Sequence, residues 1–325
     1  MGDRIPLPFP VGWFCLGDSA ELAPGELKRL HHFGEDLILW RSVGGDAHVM
    51  DAYCPHLGAN LGYGGRVEGD TVRCPFHAWR FDGTGQCVDI PYAKRIPPKA
   101  EVTSWPVIER NGLVFAWYAP DGRAPFFDIP EVPDFGDDAW TEPVSRTWQV
   151  KTHPQEMAEN TVDAVHFHYV HGTPYVPEMQ AEIEDHVFHG QQGLTFTTPE
   201  GEKKGNVDIR CYGTGFGVTR FTGVIETLLM ITGIPIDDEL HQTTIRYIVK
   251  KIEGNDAATE GIAKAFISEL ARQYSEDIPI WENKKFLARP ALCDGDGPIG
   301  MIRKYYAEFF PKGEGEAPET SAAAS

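Results

Sequence analysis

The sequence contains no apolar run long enough to cross a membrane, since a transmembrane helix needs about 20 consecutive, mostly apolar residues. Residues 1–13 lack the basic start and apolar stretch of a secretory leader, so we expect no signal peptide. Positive charge is also scarce, because 29 Lys and Arg stand against 48 Asp and Glu and leave a formal charge of −19. Such a charge argues against nucleic acid or an anionic membrane as a partner.

Cysteine is sparse too, with six in 325 residues. Those that lie scattered along the chain are expected to be reduced, mostly buried thiols of a cytoplasmic protein: Cys15, Cys87, Cys211 and Cys293. The chain is long enough for two domains, and a hydrophobic fraction of 42% allows a substantial core. This composition is compatible with a soluble enzyme.

The remaining cysteines lie in two short motifs, Cys54-Pro55-His56 and Cys74-Pro75-Phe76-His77, separated by residues 57–73. Each motif supplies one thiolate and one imidazole. Zinc fingers usually place both cysteines in one half of the motif and both histidines in the other. A Rieske [2Fe–2S] cluster, in which two histidines replace two cysteines on one iron, suits the mixed halves better. The spacing therefore predicts that cluster, with a structural zinc site as the alternative.

The residues around these motifs predict a small all-β domain that ends near residue 120. Runs of strand character at 37–40 and 48–53 are separated by turn signals. Later, 82–85 and 110–112 are glycine-containing turns between further strand-like runs, which predicts two hairpins. The two ligand motifs would lie in loops at the tip of this domain.

A second constellation follows residues 121–140, which are rich in Pro, Asp and Phe and which we interpret as a linker. A helix is predicted to begin near Pro154 and to end at Gly172. On it Asn160, Asp163 and His166 recur every three residues and share a face, and His171 can return toward the same point.

Two imidazoles and one carboxylate form the facial triad of non-haem Fe(II) oxygenases. A helix that merely carries a few histidines is the alternative, but an iron–sulfur electron donor on the same chain needs an acceptor. The carboxylate stays open at this point: Asp163 is close to His166, and Asp294 and Asp296 are candidates from elsewhere in the chain.

The rest of the second domain, 141–312, contains strand-like runs and helical patterns. The runs at 193–197, 218–232 and 243–251 predict an antiparallel sheet, and 258–274 and 299–309 have helical periodicity. Residues 313–325 have the composition of a disordered tail.

Together the two motifs resemble the oxygenase (α) components of Rieske non-haem iron oxygenases, in matching order over nearly the whole chain. The resemblance implies an α+β protein, with an all-β Rieske domain followed by a helix-grip-like catalytic domain whose antiparallel sheet is flanked by helices. It implies that six residues hold a [2Fe–2S] cluster and a mononuclear non-haem Fe(II): Cys54, His56, Cys74, His77, His166 and His171. Asp163 matches the bridging aspartate, which links His77 of a neighbouring subunit to an iron-binding histidine, so a homotrimer is implied. Asn160 would support that bridge.

High-potential Rieske proteins carry an additional cysteine in each ligand loop and a hydroxyl near the sulfurs. The matching positions here are Ala59, Phe76 and Trp79. With fewer donors to the sulfurs, the reduced cluster is stabilised less, which predicts a potential at the low end of the Rieske range.

A smaller resemblance concerns the branch of 3-ketosteroid 9α-hydroxylase oxygenases and cholesterol 7-desaturases. Residues 280–285, 296–299 and 305–306 are similar to that branch, which implies Asp296 as the third iron ligand, with Asp294 as the fallback. It favours O₂-dependent hydroxylation of a bulky apolar, steroid-like substrate. Desaturation, or attack on a smaller aromatic substrate, is the alternative, and a Rieske electron carrier is a distant one.

The sequence has no nucleotide-binding segment of its own. NAD(P)H must therefore be oxidised by a separate flavin and iron–sulfur reductase, with or without a ferredoxin. The other expected partners are O₂, a small apolar substrate and further copies of the chain.

Overall fold

The computed structural model describes residues 4–198 and 201–313. These residues form two compact units, one of them Trp13–Tyr118 and the other built from the chain before and after it. The predicted disordered tail lies outside the described residues, apart from Gly313.

The first unit is built from short strands, with a 3₁₀ turn at Ser19–Glu21. Its strands are β1 (Gly12–Asp18), β2 (Leu27–His32), β3 (Glu35–Arg41), β4 (Ala47–Asp51), β5 (Arg66–Glu68), β6 (Thr71–Arg73), β7 (Arg80–Asp82), β8 (Cys87–Asp89), β9 (Ser104–Trp105), β10 (Val107–Arg110) and β11 (Leu113–Tyr118). Within the described residues they form sheets of order β1-β11-β10, β2-β3-β4-β9 and β5-β6-β7-β8. This confirms the prediction of an all-β first domain.

Both predicted hairpins are present in this unit. β10 pairs antiparallel with β11 across Asn111 and Gly112, which have φ of 55° and 71°. Positive φ at both central residues is what a type I′ hairpin turn requires, and Asn-Gly adopts it at little steric cost. β7 and β8 form the other hairpin around residues 82–85.

The second unit contains one large antiparallel sheet and the helices. Its strands are β12 (Val144–Val150), β13 (Met179–Glu184), β14 (Val187–Thr198), β15 (Gly201–Tyr212), β16 (Phe216–Phe221), β17 (Thr227–Pro235) and β18 (His241–Val249). Its α-helices are α1 (Pro154–Ala158), α2 (Ala164–Tyr169), α3 (Asp256–Asn283) and α4 (Ile299–Glu308). In the described part of the chain the sheet order is β12-β18-β17-β16-β15-β14-β13, with antiparallel pairing throughout. The predicted α+β fold is confirmed.

Helix α3 covers one end of this sheet and packs against β12 and β18. Apolar side chains of β17 and β18, such as Leu229 and Ile245, form a core with Ala263 and Ile267 of α3. The helical pattern of 258–274 is confirmed, but α3 continues nine residues further than predicted, through Pro279 to Asn283. That extension carries a residue of the candidate site.

The prediction of one continuous helix from Pro154 to Gly172 is wrong. α1 is followed by a 3₁₀ turn at Glu159–Thr161, and α2 starts anew after Asp163, whose φ and ψ are −92° and 88°. The Asp163 carboxylate accepts hydrogen bonds from the backbone N–H groups of Val165 (3.1 Å) and His166 (3.3 Å). Because Asp competes with the helix for backbone donors in this way, it caps a new helix and interrupts the old one.

His153 caps α1, and its burial is expected to make the stability of the protein depend on pH. Its buried ring accepts the N–H of Gln155 at Nδ1 (3.1 Å) and donates from Nε2 to the Pro8 carbonyl (3.1 Å), which only the neutral ring can do. Burial lowers the pKa of His153 from 6.5 to about 4. Because the pKa is depressed in the folded state, the stabilisation is complete above pH 6.5 and is lost as the pH falls toward 4.

We therefore expect the free energy of unfolding to fall by about 2 kcal/mol from this group between about pH 7.5 and about pH 5, as measured by urea denaturation. His153→Asn keeps a capping acceptor and does not titrate, so it should remove that part of the pH dependence. An unchanged pH dependence in the variant would contradict this assignment.

Candidate metal centres

The two Cys/His loops of the first unit close in the same way, although their ligand spacings differ. In the first loop the N–H of Cys54 donates to the Ala59 carbonyl (2.9 Å), and the N–H of Gly58 donates to the Cys54 carbonyl (3.0 Å). In the second loop Cys74 and Ala78 repeat both bonds at the same offsets, with Trp79 as the acceptor for Cys74. Gly58 and Ala78 occupy the same left-handed position, with φ of 73° and 59°. The two loops therefore share one backbone closure, with the histidine two residues after the cysteine in the first loop and three residues after it in the second.

These loops bring the four predicted cluster residues together. The Cys54 and Cys74 side chains belong to the apolar core of the unit and are 2% and 3% exposed. The rings of His56 and His77 lie edge to face, with centroids 4.6 Å apart. The first unit thus places two thiols on a buried side and two imidazoles beside them.

The chemistry of this donor set fits an iron–sulfur cluster. Burial raises the pKa of Cys54 to about 12, so without a cation its thiol stays protonated. Nδ1 of His77 is buried and has no hydrogen-bond partner among the described residues. A buried polar nitrogen without a partner is costly, whereas coordination to iron would satisfy it.

In the second unit, His166, His171 and Asp277 form a cluster suited to a metal ion. One ligand atom of each lies within 4.8 Å of those of the other two. Nε2 of His171 lies 3.4 Å from Oδ2 of Asp277, and the centroids of the two imidazoles are 5.2 Å apart. Two imidazoles and one carboxylate are the donor set of a non-haem iron site.

Different elements deliver these ligands. His166 lies on α2, and His171 follows the end of that helix, where Gly172 turns the chain with a φ of 73°. Asp277 comes from the last turns of α3 and is 6% exposed. Burial raises the pKa of Asp277, and the two histidines oppose that shift. Oδ1 of Asp277 has no hydrogen-bond partner in the part of the chain that the structure describes, so the carboxylate is free to bind a cation.

Each histidine uses its Nδ1 for a hydrogen bond and leaves Nε2 for a metal. Nδ1 of His166 contacts the backbone carbonyl of Asp163, and Nδ1 of His171 lies 3.0 Å from Oε2 of Glu276. Both oxygens can only accept, so the proton of each neutral ring belongs on Nδ1.

The structure does not bring either of the two carboxylates that were candidates from elsewhere in the chain to the histidines. Asp296, which the resemblance implied, is exposed, and its Oδ2 accepts the N–H of Cys293 (2.7 Å) within its own turn; the fallback Asp294 is exposed as well. Gly297 packs so closely on Val162 that a Cβ there would lie 1.7 Å from its carbonyl oxygen. The loop therefore reaches the start of α2 without bringing Asp296 to the histidines.

Asp277 was missed because the predicted helix stopped at residue 274. The signal that could have found it is the stripe of buried residues along α3, which includes Ala263, Ile267 and Trp281 as well as Asp277. An acidic residue on the buried stripe of an otherwise apolar helix face calls for a partner or a metal.

Asn160 lies beside Asp277 in the structure. Its Oδ1 accepts a hydrogen bond from Nε1 of Trp281 (3.3 Å), and its side chain is close enough to Asp277 to lower the pKa of that carboxyl, against the larger effect of burial. The sequence pattern predicts Asn160 on one helical face with Asp163, but the break between the two helical segments separates them. Asn160 contacts the carboxylate ligand, whereas Asp163 contacts the His166 side.

A cavity of about 560 Å³ opens next to this cluster, and both histidines and Asp277 line its wall. Most of its lining is apolar and comes from the sheet and from α3 and α4, for example Phe188, Leu229, Ile231, Phe266, Leu270 and Ile302. This size lies within the range of pockets that enclose small organic ligands.

A Rieske-type loop pair followed by an antiparallel sheet with a His/His/Asp centre defines the class of Rieske non-haem iron oxygenases. Residues 12–106 match the family model of the Rieske [2Fe-2S] domain, and residues 116–310 match that of the 3-ketosteroid 9alpha-hydroxylase C-terminal domain. The chain belongs to the 3-ketosteroid 9α-hydroxylase family of these oxygenases. It is a terminal oxygenase component, an oxidoreductase, and such a component implies a separate reductase.

Relatives cover nearly the whole chain. A 3-ketosteroid-9-alpha-monooxygenase oxygenase component of Rhodococcus rhodochrous is 34% identical over 332 residues, which cover 97% of this chain and 83% of the relative. Cholesterol 7-desaturase nvd 1 of Ciona intestinalis is 30% identical over 342 residues, with 95% and 70% covered.

Solved structures show the same fold at lower identity. NdmB of Pseudomonas putida CBB5 superposes with a TM-score of 0.72 at 20% identity, over 93% of this chain and 89% of that one. Dicamba monooxygenase bound to dicamba gives 0.68 at 20% identity, with 92% and 96% covered. At this identity the likeness concerns the fold alone.

The family's cofactors are a Rieske [2Fe–2S] cluster and a mononuclear non-haem iron, as predicted. Both donor sets described above fit them. Among the described helices, none is long and apolar enough to span a membrane.

The structure adds a reason to expect a low cluster potential. Nε1 of Trp79 donates to the Tyr92 hydroxyl (2.8 Å), while its ring stacks on His56 with centroids 4.6 Å apart. The indole N–H is therefore not directed at a cluster sulfur. We expect a midpoint below about 0 mV, in the lower part of the Rieske range, in a redox titration followed by electron paramagnetic resonance. A midpoint above about +200 mV would show that other donors reach the sulfurs.

Proposed function

We propose that this chain hydroxylates a bulky, apolar, steroid-like substrate with O₂, using electrons that a separate NAD(P)H-dependent reductase or ferredoxin supplies. The observation that carries this proposal is the position of the His/His/Asp cluster in the wall of a large, mainly apolar cavity. The names of the relatives support the same substrate class, since they act on ketosteroids and cholesterol.

In this proposal Cys54, His56, Cys74 and His77 hold the [2Fe–2S] cluster. The mononuclear iron is held by Nε2 of His166, Nε2 of His171 and the Asp277 carboxylate. Iron bound by such a triad keeps open positions and supplies O₂ activation.

The chain's own residues then bind and orient the substrate. Apolar side chains such as Leu229 and Phe266 exclude water from the cavity and hold the hydrocarbon skeleton beside the triad. Orientation of one C–H bond toward the metal would decide which position is attacked, because the reacting groups must lie close together and aligned.

We propose a head-to-tail homotrimer in the cytoplasm, in which Asp163 links His77 of the partner subunit to His166. The Asp163 side chain is 38% exposed, yet its Oδ2 lies 4.0 Å from Nδ1 of His166. A carboxylate that is both exposed and next to an iron ligand is suited to such a link. We also propose a Rieske domain at 1–120, a linker at 121–140 and a catalytic domain at 141–312. The family matches at 12–106 and 116–310 support two domains, and the second match includes the proposed linker.

The test is a substrate panel with the purified oxygenase, a surrogate reductase and mass spectrometry. Four-ring ketosteroids and sterols should gain one oxygen atom, whereas single-ring aromatics should not be converted. Leu270→Trp, which fills part of the cavity, should reduce turnover of four-ring compounds without loss of either metal. Conversion of small aromatics alone would overturn the steroid assignment.

Desaturation and simple electron transfer would give results distinct from hydroxylation. Desaturation, favoured by the likeness to cholesterol 7-desaturase, would remove two hydrogens without adding oxygen. A pure electron carrier would contain about two irons per chain, whereas an oxygenase contains about three, since a mononuclear iron adds to the two of the cluster.

A further inference from the structure

One imidazole ring in the second unit is held by two consecutive carboxylates. Nδ1 of His171 lies 3.0 Å from Oε2 of Glu276, and Nε2 lies 3.4 Å from Oδ2 of Asp277. Neighbouring residues on a helix point about 100° apart, since a turn takes 3.6 residues. Glu276 and Asp277 can therefore approach the two sides of the same ring from one helix.

The two contacts of the His171 ring serve different purposes. The metal-capable group contains Asp277 but not Glu276, so Nε2 faces the proposed iron and Nδ1 faces away from it. Both carboxylates can only accept a hydrogen bond. The contact with Glu276 is the shorter one (3.0 Å against 3.4 Å), so it holds the single proton of neutral His171 on Nδ1 and leaves the lone pair on Nε2. We propose that Glu276 is the positioning residue for His171, setting its tautomer and ring orientation for metal binding. This inference rests on the proposed iron site.

Glu276 is itself held in place. Its Oε1 contacts Nη1 of Arg272, one turn earlier on α3, and Nη2 of the same guanidinium binds Oε1 of Glu269 (2.6 Å). The Glu276 side chain is 34% exposed and would sample several rotamers without this anchor. The ordered contacts thus run from Glu269 through Arg272 and Glu276 to His171.

His166 is oriented by a backbone contact instead of a side chain. Nδ1 of His166 is held by the backbone carbonyl of Asp163, which no side-chain substitution removes. His171 depends on a side chain from another helix, so its orientation can be weakened by one substitution. A carboxylate next to a metal-bound histidine also raises the basicity of the ring, and loss of such a partner typically weakens metal binding about 10- to 100-fold.

The experiment uses the full-length protein with its cluster intact, after a chelator has removed the mononuclear iron. Co(II) is titrated into this site in competition with a chromophoric chelator, and the Co(II) absorption spectrum reports the ligand set. Glu276→Ala should weaken Co(II) binding about 10- to 100-fold. Glu276→Gln, whose amide oxygen accepts the same hydrogen bond, should recover part of the affinity. The cluster spectrum and the urea midpoint should be unchanged in both variants.

Glu260→Gln is the matched control, because Glu260 is an exposed glutamate of the same helix α3 and does not line the cavity. Its Co(II) affinity should stay within about threefold of the wild type. Wild-type affinity and an unchanged Co(II) spectrum in both Glu276 variants would overturn the positioning role while leaving the iron site intact. Failure of the wild-type protein to bind Co(II) at the triad, or binding that survives Asp277→Ala, would instead overturn the proposed site, and with it this inference.

Discussion

Asp277→Ala is expected to lower the iron content from about three to about two per chain while leaving the Rieske spectrum unchanged. Asp277 is the carboxylate that forms the metal-capable group with the two histidines, and its Oδ1 has no hydrogen-bond partner among the described residues. Without it, the site retains two neutral imidazoles and no anionic ligand. We expect the rate of substrate hydroxylation to fall at least about 100-fold. That is the largest loss typical for removal of a residue that only supports a metal ligand. Metal analysis and electron paramagnetic resonance of the same sample measure both quantities.

The matched controls for this prediction are Asp296→Ala and Asp294→Ala. Both residues are exposed in the loop before α4, and neither lies in the metal-capable group. Both variants should keep about three irons per chain. Loss of the mononuclear iron from Asp296→Ala, with full iron in Asp277→Ala, would return the third ligand to the position that the resemblance implied.

Asp163→Asn is expected to keep both metals and to lose coupled turnover. Asn caps helices about as well as Asp, so the backbone bonds to Val165 and His166 and the start of α2 should survive. The substitution removes the negative charge next to His166, which in the proposed trimer also faces His77 of the partner subunit. Asp163→Ala would also lose the cap, which costs about 1 kcal/mol of stability, and it therefore separates capping from charge.

A second aspartate that accepts two backbone N–H groups provides the control. Asp237 accepts the N–H groups of Glu239 (2.9 Å) and Leu240 (3.0 Å), at the same offsets as Asp163, but it lies in the turn before β18. Asp237→Asn should keep full turnover. Full turnover in Asp163→Asn as well would remove the bridging role.

Mixed assemblies test whether the link crosses between subunits. Asp163→Asn and His77→Ala should each be inactive alone, and a trimer that contains both should regain part of the activity. An intact His77 from one subunit then meets an intact Asp163 on the next. If both residues acted within one chain, mixing would restore nothing.

Much of the fold followed from local patterns. Asn111-Gly112 predicted a hairpin because few other residue pairs accept two positive φ angles, and the alternating apolar runs predicted strands. The family followed from two short motifs, Cys-x-His with Cys-x-x-His and Asn-x-x-Asp-x-x-His-x₄-His. The spacing alone could not show that Asp163 interrupts the helix. An aspartate inside a helix and one that caps a helix can stand in the same sequence pattern. They differ in whether the carboxylate accepts hydrogen bonds from backbone N–H groups, as it does here.

The order and identity of the Cys, His and Asp motifs were thus determined by the sequence itself, since each motif lies within one short stretch and its geometry is local. The candidate for the third iron ligand was decided by tertiary structure. Asp277 meets His171 only because α3 packs against β12 and β18, and its last turns then reach the end of α2. Asp296 belongs to a stretch that resembles the family, 296–299, but its carboxylate accepts a backbone N–H within its own turn. A ligand supplied by a distant helix depends on how that helix packs, and packing is set by the whole core.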